Sequence, residues 1–167
     1  MTVFPTTARA LRLALACALF AAAAAHAQLP VVPAADQEAL LASADPALAA
    51  NKKLVFDFWR EVFEGGHLEL ADKYLAESYI QHNPNVPTGR AAFVTFFKQF
   101  AKPHDIQPRM VAPLVSIVAE RDLVILSFVQ PTKDPKDPSK TSTTTWFDMF
   151  RVENGKIAEH WDCAPRQ

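Results

Sequence analysis

The chain has 167 residues, half of them hydrophobic, with 17 basic and 18 acidic side chains and two cysteines. That near-neutral balance gives no electrostatic footprint for nucleic acid or for an anionic membrane. Two cysteines are too few for a disulfide scaffold, so a hydrophobic core must carry the fold.

Residues 1–27 read as a secretory signal rather than as folded protein. Arg9 and Arg12 stand without acids, residues 13–25 are uninterruptedly apolar, and Ala25-His26-Ala27 places small residues at both specificity positions before Gln28. The run is shorter than the roughly 20 residues that span a bilayer. Lipidation at Cys17 is the rival reading, but "ALAC" has alanine where a lipoprotein signal usually has leucine. The expectation is therefore cleavage after Ala27, a periplasmic or secreted product, and no membrane association once the signal is removed. What remains has 15 basic residues against 18 acidic ones and one cysteine, Cys163. It is about 140 residues, a normal size for a single domain.

Residues 28–45, rich in alanine and proline, suggest a flexible arm, and 46–167 the domain. Asp45-Pro46 is an N-cap followed by proline at the first helical position. Val55, Phe58, Trp59 and Val62 then recur at helical spacing until Gly65-Gly66. Leu68, Ala71, Tyr74 and Leu75 mark a shorter helix, and Thr88 can cap a third, with Phe93, Phe96, Phe97 and Phe100 on one face. After Pro103 the pattern turns to strands: "RMVAPLVSIVAE", "LVILSFVQ", "TSTTTWFDMFRV" and "KIAEHWDC". Helices first and an antiparallel sheet second predict an α+β fold with the helices on one sheet face.

Asn154-Gly155 is the strongest short hairpin signal in the chain. A two-residue turn there pairs Phe150 with Glu159, Asp148 with Trp161 and Trp146 with Cys163. Asp148 then shares an apolar face with Trp146, Phe150 and Trp161, while His160 and Asp162 fall on a polar face with Met149 and Arg151. A longer loop would exchange the faces. A carboxylate on an apolar face is costly unless paired. It is either a structural ion pair, for instance with Arg90 or Arg109, or a general base in a pocket between sheet and helices.

"YIQHNPNVPTG", the aromatic first helix and above all "FDMFRVENGKIAEHWD" resemble the SnoaL-like polyketide cyclases of the nuclear transport factor 2-like superfamily. The resemblance covers roughly Asn51 to Asp162. It implies a strongly bent antiparallel sheet wrapped around three N-terminal helices, a cone with a deep pocket. It also implies ring closure by aldol chemistry without metal or organic cofactor, Asp148 as acid/base, and His82 reaching the same pocket. The strand "LVILSFVQ" departs from many relatives in carrying no histidine.

His82 has two readings: a cap that holds the turn beside Asn83-Pro84, or a donor to an enolate oxygen. Trp146, Trp161, Phe150, Tyr79, Trp59 and Asn83 are candidate substrate contacts. No metal is expected, because the histidines lack ligand spacing, and no cofactor. The expected partners are a small apolar ligand and a second copy of the chain, through the polar hairpin face. The function classes are a cofactor-independent lyase or isomerase acting on a small apolar carbonyl compound, or a non-catalytic binding module of the same fold.

Overall fold

The Asp45 carboxylate accepts the Ala47 amide at 2.8 Å and Pro46 takes the first helical position, so helix α1, Pro46–Phe58, starts where the sequence places it. The computed structural model describes residues 29–167. Past Phe58 the helix widens into a π-helical turn, Trp59–Glu64. Glu64 secures its end by accepting the Val111 and Ala112 amides at 2.8 and 2.7 Å.

The second predicted helix is cut short. After a 3-10 turn at Leu68–Leu70, helix α2 spans only Ala71–Tyr74, and Leu75–Gln81 is strand β1. This strand was not foreseen, because a register irregularity between Leu75 and Ile80 breaks the alternation that identifies strands. Helix α3, Arg90–Phe97, begins at Gly89, whose φ of 101° favours glycine. Thr88, expected to cap it, instead exchanges hydrogen bonds with the backbone of Gln81.

Strands β2 (Leu114–Glu120), β3 (Leu123–Lys133), β4 (Thr141–Glu153) and β5 (Lys156–Asp162) complete a curved, open five-stranded sheet in the order β1-β5-β4-β3-β2. β1 runs parallel to β5 and the other pairs are antiparallel, so the sheet is mixed rather than wholly antiparallel. The helices pack on one face, as an α+β fold requires. Phe58 sits where they meet, with edge or tilted contacts to Tyr74, Phe93 and Phe150 at 6.0–6.1 Å.

Residues 31–45, expected as part of a flexible arm, are docked. The Val31 and Ala34 amides donate to Thr143 Oγ1 and the Leu114 carbonyl, and the Gln37 side chain pairs with both backbone groups of Met110. Leu41 is buried in the core and Leu40 packs against it, so two leucines in an otherwise alanine- and proline-rich stretch anchor the segment together with these hydrogen bonds. No described helix is long and apolar enough to cross a membrane.

The hairpin turn is as expected, with positive φ at Asn154 and Gly155 and pairs Glu153–Lys156 and Val152–Ile157. The register then shifts by one residue at a bulge. Beyond it Arg151 pairs with Glu159, Phe150 with His160, Met149 with Trp161 and Asp148 with Asp162. A one-residue slip exchanges faces. His160 and Asp162 therefore join Asp148 and Phe150, while Trp161 and Glu159 go to the opposite face with Met149 and Arg151. The polar face proposed to carry His160 and Asp162 to a partner does not exist in that form.

Candidate functional site

Between the inner face of β4, β5 and β1 and the aromatic side of α1 and α3 lies a cavity of about 230 Å³. Trp59, Phe63, Phe96 and Phe97 supply much of its apolar wall, and Phe58, Phe93 and Phe150 continue it into the core. Tyr79, Gln81, Asn83, Asp148, His160 and Asp162 form its polar side. A second hollow of about 250 Å³ shares Phe63, Phe93 and Phe97, but its charged groups are only Glu64 and Lys102.

Strand alternation builds the polar side. Asp148 and His160 face inward from adjacent strands, and His160 Nε2 lies 2.9 Å from Asp148 Oδ1. Asp148 is 3% exposed, and its Oδ2 is buried without a hydrogen-bond partner. Burial pushes its pKa above the usual carboxylate value, against the hydrogen bond and charge of His160 and a smaller opposing effect of the Trp146 side chain, and the nearby Asp162 carboxylate adds to the rise.

The other nitrogen of His160 fixes the proton count. Nδ1 lies 2.8 Å from Gln81 Oε1, which also accepts the Asn83 backbone amide at 2.9 Å, while Gln81 Nε2 donates to the Tyr79 hydroxyl at 3.0 Å. The Gln81 atom facing the ring is thus an oxygen and Nδ1 carries a proton. The Nε2–Asp148 bond then holds one proton, on the ring or on the acid. The pair is a carboxylate with an imidazolium, or a carboxylic acid with a neutral imidazole. Asp162 stands beside it, accepting from Asn83 Nδ2 at 2.7 Å and from the Ala164 amide at 2.8 Å.

The candidates named from sequence divide between the two faces. Asp148, Phe150, Tyr79, Trp59 and Asn83 line the cavity. Trp146 does not; it pairs across the sheet with Phe128 and packs on the core. Trp161 and His82 are on the far side of the hairpin, their rings stacked at 4.8 Å. His82 Nε2 reaches Glu159 Oε1 at 2.8 Å, and Glu159 Oε2 accepts from Arg151 at 2.8 Å. The pocket reading of His82 is therefore corrected. The same bulge that brings His160 inward takes Glu159 and Trp161, the partners of His82, outward. His160, Asp162 and Gln81 were missed as site residues. The signal for the first two was "HWD", whose ends must share a strand face.

His82→Ala should accordingly cost about 1 kcal/mol of stability, the scale of a partly exposed hydrogen-bonded pair. Binding in the cavity should stay within about twofold, since no cavity group is removed. Thermal melts and ligand titrations of the variant check both, and loss of binding at unchanged stability would return His82 to the site.

Asp148, His160 and Asp162 each offer a ligand atom within 4.8 Å of the others, so a cation-sized cluster exists where the histidine spacing suggested none. Both nitrogens of His160 already have partners, and a metal would have to displace the proton shared with Asp148.

The model of the SnoaL-like domain matches residues 55–160. The chain belongs to the SnoaL-like family. The match contains β1 to β4 entire, both aromatic helical faces and every polar cavity residue except Asp162. Among solved structures, the SnoaL-like chain is similar to TsrD from Streptomyces laurentii, at 22% identity over 72% of this chain and 90% of that one, with a TM-score of 0.44. A loop-truncation variant of IdmH, a proposed polyketide cyclase from Streptomyces antibioticus, is 25% identical over 68% and 91%, with a TM-score of 0.44. A proposed SnoaL-like polyketide cyclase from Jannaschia sp. CCS1 is 16% identical over 71% and 88%, with a TM-score of 0.49. No curated protein is similar enough to count as a relative.

Proposed function

We propose that this SnoaL-like protein is a cofactor-independent lyase or isomerase that moves a proton at the carbon next to a carbonyl, with Asp148 as the acid/base. The observation that carries this is the division of labour between the two Asp148 oxygens. Oδ1 is tied to His160, while Oδ2 is buried outside hydrogen-bond geometry with any group, the Trp146 side chain being its nearest influence, and belongs to a group that lines the cavity. With the shared proton on His160, Oδ2 accepts the substrate proton. The resulting acid returns it to the other face or to another atom of the enolate, or the enolate attacks a second carbonyl in an aldol step.

Tyr79 takes the role first considered for His82. Its hydroxyl accepts from Gln81, which leaves its own proton to donate. Burial, reinforced by Asp162 and Asp148, raises the phenol's pKa and keeps it protonated, so it can bind the enolate oxygen as a neutral donor. The cavity is larger than the roughly 150 Å³ that holds benzene and below the roughly 300–1,000 Å³ of drug-sized sites, so one or two rings fit.

Solvent deuterium entering one- and two-ring cyclic ketones tests the reading. Exchange should rise with pH on the acid side, and later than for an ordinary aspartate, because the base must first lose a proton that burial holds. No exchange above the solvent rate across the panel would leave a binding module of the same fold.

We further propose that the protein is exported and begins at Gln28, on the order of Arg9, Arg12, the apolar run and Ala-His-Ala. N-terminal sequencing of protein from the periplasm or medium should find that residue, and a lipidated Cys17 would overturn the assignment. The partner face is the outer side of the sheet. There Val118, Ile125, Met149 and Trp161 stand in register across four strands, beside Phe147, which is 48% exposed. A two-fold dimer through this row should appear in light scattering at micromolar concentration, and a monomer would count against it.

A further inference from the structure

We propose that the cavity selects a small organic cation: an ammonium group on an apolar body of one or two rings, with Asp162 as its counter-charge. This ligand class presupposes the ligand-site reading above and narrows it.

The charges of the polar side do not balance. Asp148 and His160 hold one proton between them and are neutral as a pair, whichever atom carries it. Asp162 is left over. Its oxygens accept only from the Asn83 side-chain amide and the Ala164 backbone, both neutral donors. Among the described residues no lysine or arginine lines the cavity, and Asp162 has no ion pair there. Its negative field reaches the neighbours, since it is one of the causes that hold both the Tyr79 phenol and the Asp148 carboxyl protonated to higher pH.

The opposite wall is aromatic. Trp59 and Phe63 lie 4.7 Å apart, Phe96 and Phe97 5.1 Å, and all four line the cavity. Ring faces attract cations, and a partly buried carboxylate without an ion pair attracts them further while repelling carboxylate ligands. An ammonium group also offsets the charge of Asp162, against which an enolate would otherwise have to form. A neutral ketone of the same shape gains none of this.

Calorimetric titration at neutral pH with phenethylammonium, phenethyl alcohol and phenylacetate tests the selection. The ammonium should bind the parent at least about tenfold more tightly than the alcohol, and phenylacetate more weakly than either. In Asp162→Asn the gap between ammonium and alcohol should close to within about threefold. An alcohol that binds the parent as tightly as the ammonium, tight phenylacetate binding, or no binding of any probe overturns the proposal, and these readings on the parent need no variant to fold. Discrimination that survives in Asp162→Asn also overturns it. The catalytic reading fails separately, through absence of deuterium exchange in a protein that still prefers the ammonium.

Discussion

Asp148→Asn is expected to slow deuterium exchange into a bound cyclic ketone by a factor of about 10² to 10⁴, the range usually lost with a positioned acid or base. The variant should fold. His160 Nδ1 keeps its proton for Gln81, so Nε2 is an acceptor, and the new amide can donate to it where the acid and imidazole shared a proton. A buried group whose charged form was disfavoured by desolvation is replaced by one without charge, so the melting temperature should hold or rise. Tyr79→Phe gives the companion measurement. It should lower the exchange rate by about 10² to 10³ if the hydroxyl binds the oxyanion, with less effect on binding of the ketone itself. Parent-like exchange in the asparagine variant would remove Asp148 from the chemistry.

The largest expected effect on stability is at Phe58. Phe58→Ala should destabilise by about 3–5 kcal/mol, the usual range for deleting a buried phenylalanine. The ring is 3% exposed and touches Tyr74 from α2, Phe93 from α3 and Phe150 from β4, so one deletion unties three elements. Its site cannot collapse readily, because Phe93 and Phe150 are themselves fixed by Tyr79 at 5.9 Å and His160 at 4.6 Å. Since Phe58 also lines the cavity, any folded fraction should accept bulkier rings than the parent. Denaturant unfolding with and without such a ligand separates the two consequences. A loss below about 1 kcal/mol would mean that the aromatic cluster repacks and does not hold the helices to the sheet.

Local signals fixed much of this fold in advance. The Asp45-Pro46 start of α1, the phenylalanine stripe of α3, the four later strands and the Asn154-Gly155 turn each rest on chemistry within a few residues, namely capping, period and φ > 0. Asp148 could be placed in a pocket for the same reason, as it alternates with apolar neighbours whichever strand it meets. Family resemblance supplied the α+β cone. What sequence could not supply depended on distant partners. β1 is a strand only because β5 offers it backbone groups, and its irregular pairing erases the period-two pattern. Residues 31–45 are held by hydrogen bonds to β2, β4 and Met110 and by Leu40 and Leu41 at the core, and two leucines among alanines and prolines are too few to make a periodic pattern. Above all, one extra residue at the start of β5 decided which histidine serves the cavity. The turn fixes the first two pairs and, with them, an expectation for the rest. The bulge at Ala158 then reverses every side chain beyond it, because strand faces alternate with a period of two. That bulge admits Ala158 because it is small and buried at 3% exposure, a fit set by the packing around it and not by any neighbour in the chain.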